Sequence, residues 1–384
     1  MDVRHRIETL VGDLTAQGLL SSDEWREALH AVPRHLFAPD RGWATPDYPG
    51  GGPPRSIDRD ADEPGWWDAV YSDTSITTQA DDGATDPASG QGLPTSSLSA
   101  PGIVAAFLEL LDVHDHDRVL DIGTGTGWTP GLLSARVGDA RVTSIEVDPA
   151  VADQAAANLK RAGRAPHLIT GDGAAGWPDG APYDRVHVTA GVSQIPYAWV
   201  EQTRPGGVIV LPWTPGVDGL KARLTVLGDG TAIGSLHGPA SYMMLRDQRT
   251  PQRWATHHAS DAAESRTRID PRPIATAGPG LELAITAHAP GTTVIPRDDD
   301  NGEFSLMMYE LARTEGTWAA CDYYPDRTEY DVLQYGDRHL WDEVSAAYMW
   351  WLANGRPGPE RYGLTVTPDG VSLWLDHPGN LVCP

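Results

Sequence analysis

Between Arg118 and Pro212, short apolar runs alternate with stretches of helical period. Val119-Leu120-Asp121-Ile122, then segments over 141–148, 167–170, 183–190 and 208–211, carry the near-continuous apolar character of buried parallel strands. Helical patterns fall between them, through 155–160 and around 198–202. Strand and helix alternating at this spacing predict an α/β fold with a doubly wound, mostly parallel sheet and a ligand at the strand C-termini.

The flanks read differently. Residues 2–37 give two helices, the second opened by a capping box of Ser21 with Glu24 and ended before Pro33. Over 38–95 the chain is rich in Gly, Pro, Asp and Ser, which predicts a long loop or partly ordered lid. Trp66-Trp67-Asp68-Ala69-Val70-Tyr71 within it is too aromatic for a linker and is expected to dock back on the fold. A helix follows over 102–111, with Ser99 as its cap and Pro101 in its first turn. Beyond about residue 250, strand-like 281–295, an amphipathic helix over 336–352 and a hairpin around Pro368-Asp369-Gly370 suggest an extra α+β region. The expected division is therefore 1–250 and 251–384, the second part an accessory region with a possible role in substrate recognition.

Composition narrows the partners. With 384 residues, 40% hydrophobic content and a formal net charge of −24, the chain suits two folded domains and disfavours nucleic acid, whose phosphates it would repel. Cys321 and Cys383 are too few for a disulfide framework or thiolate metal site, and none of the thirteen histidines pairs at helical metal spacing, so no metal is expected. His257-His258 reads as a polar surface stretch. No apolar run approaches a membrane span and the N-terminus lacks a signal core, so no membrane association and a cytoplasmic location are expected.

The chemistry centres on Asp121-Ile122-Gly123-Thr124-Gly125-Thr126-Gly127-Trp128. A dinucleotide fingerprint would place its last glycine where Trp128 stands. Glycine at alternate positions after an acid fits an adenosyl group without a pyrophosphate, and points to S-adenosylmethionine (AdoMet). Glu146, nineteen residues past Gly127, occupies the place of an acid that grips ribose hydroxyls, and Asp172 in Gly171-Asp172-Gly173 is placed to meet the adenine.

Together with 28–37, Ser99-Ala100-Pro101, 171–178, 181–184 and 204–212, the glycine motif resembles the protein-L-isoaspartate O-methyltransferase family. The resemblance implies a class I methyltransferase fold. It implies that Asp121, Gly123, Thr124, Gly125, Gly127, Glu146, Val147, Gly171, Asp172 and Gly173 bind AdoMet. It also implies that Ser99 is catalytic, and that Ser97, Ser99 and Ala100 meet the accepting carboxylate. The long 38–95 segment and the region after 250 depart from the repair enzymes and resemble relatives associated with maturation of ribosomal peptides (lanthipeptide, lasso and graspetide pathways). The expectation is thus methylation of an aspartate in a precursor peptide, the ester closing to an aspartimide. The alternative is repair-type methylation of isoaspartyl residues in damaged proteins. A non-catalytic AdoMet-binding scaffold fits the intact acidic and serine set less well.

Overall fold

The computed structural model describes residues 2–48, 50–216, 219–249, 261–299, 301–311 and 316–383. It opens with α1 (Val3–Ala16) and α2 (Asp23–Ala31), whose apolar stripes, including Leu10, Leu14, Trp25 and Leu29, face the interior. The expected Ser21–Glu24 box does not form. Glu109, far along the chain, accepts the Ser21 and Ser22 backbone N–H groups, both at 2.8 Å, together with both hydroxyls.

The segment expected to be a loop is a folded layer. β1 (Arg41–Pro46), β2 (Arg55–Asp58), α3 (Glu63–Val70), β3 (Thr74–Ala80) and β4 (Pro94–Leu98) follow in turn, and the strands pair antiparallel in the order β2-β1-β3-β4. Ala44, Ile57, Ile76 and Leu98 project from its inner face into a core that also takes Trp66 and Trp67 of α3. Most of its glycines and prolines fall in the connections, with Gly42, Pro46 and Pro94 in strands and Pro64 and Gly65 in the first turn of α3. One apolar residue on each strand, with α3 behind, is enough to seat the sheet.

After α4 (Pro101–Leu111) come β5 (Val119–Ile122), α5 (Trp128–Val137), β6 (Val142–Glu146), α6 (Pro149–Arg161), β7 (His167–Thr170), β8 (Tyr183–Val188), α7 (Tyr197–Glu201) and β9 (Thr203–Trp213). The five strands are parallel in the order β7-β6-β5-β8-β9, so strand order reverses at β5. Their side chains feed both faces. Val119, Val208 and Val210 join a core with α1, α2, α4 and α5, while Leu120, Ile209 and Leu211 join another with Trp199 of α7. A sheet buried on both faces explains its continuous apolar runs.

The expectation of a mostly parallel sheet needs correcting. β10 (Leu220–Val226) and β11 (Ala232–Pro239) continue it antiparallel, and two later strands extend it further. The chain then forms β12 (Ala263–Thr267), α8 (Arg272–Thr276), α9 (Pro279–His288), β13 (Thr292–Asp298), β14 (Phe304–Glu310), β15 (Trp318–Tyr323), β16 (Tyr330–Tyr335) and α10 (Leu340–Ala353). Its own antiparallel sheet runs β12-β16-β15-β14-β13, with α9 and α10 sharing its core. The stretch read as strand over 281–295 is mostly α9, opened by Pro279 in the first turn, and only its end is β13. The expected Pro-Asp-Gly hairpin is β17 (Tyr362–Thr367) with β18 (Gly370–Leu375), and β17 pairs with β11. Among the described residues the main sheet therefore has nine strands, the last two drawn from beyond residue 250. His257–His258 lies outside the described residues; within them no cluster suited to a metal and no helix long and apolar enough to cross a membrane occurs.

Candidate active site

β5 delivers the chain into the glycine turn, and neighbouring strands hold it there. The Gly123 and Thr124 N–H groups donate to the Ile145 carbonyl at 2.9 and 3.1 Å, and Thr189 Oγ1, at the end of β8, donates to the Gly123 carbonyl at 2.7 Å. Gly123 has φ +94°, and a Cβ there would lie 2.8 Å from Thr189 Oγ1, so only glycine fits. Gly127, at φ +89°, starts α5 where a Cβ would press on the Ala155 carbonyl at 3.2 Å; its service is to helix packing.

Glu146 closes the other side of the turn. Its carboxylate accepts the Gly125 N–H at 2.9 Å and the Asp148 N–H at 3.1 Å. Burial pushes its carboxyl above the ordinary glutamate range, and the nearby Asp148 charge adds to the rise against the two amide bonds. A cleft opens here at the reversal point of the sheet, as expected for this topology. Gly123, Thr124, Gly125, Glu146, Val147 and Gly173 line its sheet side, and Ser97 and Ser99 face them. Val147 is an apolar side chain left 38% exposed.

Asp121, Gly127, Gly171 and Asp172 do not line this cleft. Asp121 is fully buried beneath the turn, accepting from Ser144 Oγ at 2.6 Å and lying 2.9 Å from His187 Nδ1. Ser144 in turn shares a 2.7 Å hydrogen bond with Thr124 Oγ1. Asp121 thus braces the turn from below. The Gly171 N–H donates to the Glu146 carbonyl at 2.8 Å, and Asp172 accepts the Ala174 N–H at 2.9 Å, capping the short turn that brings Gly173 to the wall.

A second cleft of about 940 Å³ joins the first. Thr45, Asp47, Ser75 and Thr77 of the inserted layer, with Ala100 and Ile103, form its walls; Ser97, Ser99, Tyr242, Met243, Met244 and Arg249 border both clefts. Ser99 is not the cap of α4. Ala100 holds that position, and Asp73 reaches across from the start of β3 to accept the Gly102 N–H at 2.6 Å. The Ser99 carbonyl accepts from Arg34 Nη2 at 2.9 Å, and the serine borders both clefts with Tyr242 beside it.

Over the mouth of the first cleft runs an ion bridge. Arg246 bonds Asp82 at 3.1 Å and Asp148 at 2.9 Å, and Arg249 bonds Asp82 at 2.8 Å. The bridge ties the inserted layer to the head of α6 and holds the Asp148 carboxyl below its usual range, in concert with hydrogen bonds that oppose its burial. Thr189, His187, Tyr242, Arg246 and Arg249 were not legible as site residues from local pattern. The available signal was the apolar run 242–245 followed closely by Arg246 and Arg249.

The wall suits AdoMet: a tight backbone approach, a carboxylate at the strand end able to accept ribose hydroxyls, and an exposed apolar side chain beside it. Comparison with known proteins agrees. The family described as Protein-L-isoaspartate(D-aspartate) O-methyltransferase (PCMT) matches residues 55–249. The protein-L-isoaspartate O-methyltransferase of Thermococcus onnurineus is 32% identical over 245 residues, covering 61% of this chain and 90% of the relative. That of Pyrococcus horikoshii is 34% identical over 240 residues, covering 60% and 89%. A solved protein-L-isoaspartate O-methyltransferase superposes with a TM-score of 0.55 at 20% identity, over 97% of this chain and all 100% of its own, a likeness of fold that takes in the C-terminal region. The chain belongs to the protein-L-isoaspartate(D-aspartate) O-methyltransferase family and is an AdoMet-dependent protein carboxyl O-methyltransferase.

Proposed function

We propose that this chain methylates the free α-carboxylate of isoaspartyl residues in peptides and proteins. The observation that carries this reading is the junction of the clefts at Ser97 and Ser99, where an acceptor lying in the roomy cleft meets the donor cleft. The names of the relatives favour the isoaspartyl linkage over other carboxylates.

AdoMet supplies a sulfonium-bound methyl group as electrophile. The acceptor is ionised at neutral pH, so the chain need not provide a strong base. Its task is alignment and exclusion of water. Glu146, Val147 and the turn through Gly123 and Gly125 would hold the donor. Because Asp73 takes the Gly102 N–H, the Ser99 hydroxyl is the group available to hold the carboxylate. The chemistry AdoMet would supply there is transfer of its methyl group to one carboxylate oxygen, the carbon–sulfur bond pair leaving with the thioether. The resulting ester is a better acyl donor than the carboxylate, and attack by the following backbone nitrogen expels methanol and closes a succinimide.

A second reading is methylation of an ordinary aspartate in a dedicated precursor peptide. The feature in its favour is the inserted layer, whose Thr45, Ser75, Thr77 and Ser97 add polar recognition surface to the acceptor cleft. Labelled AdoMet with paired peptides, identical except for an α- or β-linked aspartate, separates the two. Label transfer confined to the β-linked peptide is expected. Transfer confined to the α-linked peptide would move the assignment to the second reading, and transfer to neither would end both.

A further inference from the structure

Tyr242 borders both clefts, yet its hydroxyl is buried and makes no hydrogen bond of ordinary geometry. That hydroxyl lies beside Ser99 and within the field of Asp121. The ring is fixed by packing: it meets Phe107 edge-on at 5.3 Å, and Phe107 stands edge-on to His187 at 6.0 Å. His187 is held by Asp121 through Nδ1, and its Nε2 is likewise buried without a partner.

A buried hydroxyl whose neighbour Ser99 stands outside ordinary hydrogen-bond geometry returns little of its desolvation cost to the fold, and phenylalanine would give the same packing without that cost. The oxygen is therefore better explained by what it does when the clefts are filled. Ser99 is held on both sides: Arg34 fixes its carbonyl, and Asp73 fixes the first turn of α4. What remains free is the side-chain torsion that aims the serine hydroxyl.

We propose that Tyr242 is a positioning residue for methyl transfer, its hydroxyl donating to Ser99 Oγ so that the serine O–H is aimed at one oxygen of the accepting carboxylate. The other oxygen is left to attack. Donors in series strengthen one another in a dry site, so the pair holds the anion better than serine alone. Burial, the largest influence, raises the phenol's pKa and keeps Tyr242 a neutral donor wherever the substrate carboxylate is ionised. This role rests on the assignment of Ser99 made above.

The test compares the full-length protein with Tyr242→Phe, Ser99→Ala and the double variant, using the β-linked peptide. Tyr242→Phe is expected to melt at the same or a higher temperature and to bind AdoMet unchanged by calorimetry. Its kcat should fall about tenfold, the scale of one well-placed hydrogen bond, with little change in peptide KM. On the Ser99→Ala background it should cost nothing further, since the group it positions is gone. An unchanged kcat in Tyr242→Phe, losses that multiply in the double variant, or a fall in melting temperature together with AdoMet affinity would each overturn the proposal. Ser99→Ala at the wild-type rate would remove the serine assignment and this inference with it. Wild-type protein inert towards both peptides would instead mark failure of the functional reading on which both stand.

Discussion

Arg34 Nη2 donates to the Ser99 carbonyl at 2.9 Å, and the same buried guanidinium also bonds the Val70 and Thr74 carbonyls at 2.6 and 2.7 Å. One side chain thus joins the end of α3, the start of β3 and the acceptor strand. It lies over the Trp128 ring at 5.2 Å, a further contact for a planar cation. Lysine cannot reproduce this fork. Arg34→Lys is expected to lose about 2–3 kcal/mol of stability and to reduce kcat more than AdoMet affinity; thermal melts and calorimetry on the same preparation check both.

Asp121→Ala removes the acceptor for Ser144 and the partner of His187 in a fully buried site. A loss of about 3 kcal/mol is expected, with weaker AdoMet binding because the turn loosens. Asp121→Asn keeps one acceptor oxygen and should lose less of both. Full stability with abolished binding would place the carboxylate on the donor after all. Denaturant melts beside titrations decide it.

Glu146 is expected to give AdoMet binding a pH dependence. Its carboxyl is raised, burial being the first cause, so it takes up a proton above the ordinary glutamate range as pH falls. Ribose hydroxyls need the ionised carboxylate as acceptor, so affinity should be full above the raised pKa and decline through it. Fold stability moves the other way. A carboxyl raised in the folded state contributes more as pH falls from that pKa towards the unfolded value. Glu146→Gln should bind AdoMet more weakly at neutral pH and lose the acid dependence, read by calorimetry across the window.

Asp82 holds Arg246 and Arg249 across the donor cleft. These side chains are partly exposed, so each bond is modest and screened by salt. Asp82→Asn should release AdoMet faster and raise its KM roughly three- to fivefold, in line with about 1 kcal/mol for the pair. Wild-type KM should rise more steeply with salt than the variant's, which keeps only the Arg246–Asp148 bond; parallel salt curves would deny Asp82 any hold on the donor.

The donor half of the site was legible because its signals are local. Strand, glycine turn and strand-end acid are each marked within a few residues, and Gly123, Gly125 and Glu146 line the cleft at the strand ends. The acceptor half depends on contacts across the chain. Asp73 supplies the cap of α4 and Arg34 holds the Ser99 carbonyl, neither of which has a periodic mark. The inserted layer escaped notice because each strand spends about one apolar residue on the core and turns hydroxyls such as Thr45, Ser75 and Thr77 to the cleft. In composition that resembles a loop. Reading 281–295 as strand failed where Pro279 starts a helix whose inward residues, Leu281, Leu283, Ala284 and Ile285, are as apolar as a strand's.

The pairing of β17 with β11 carries a practical consequence for anyone shortening this protein. A stop codon near residue 250 would not liberate a self-sufficient catalyst. It would strip Leu364 and Val366, both wholly buried, off the sheet and leave the β11 margin bare to solvent. Such a fragment should self-associate through that raw seam, the hazard of any unprotected strand flank. Two parts that look separable along the gene share a single woven fabric.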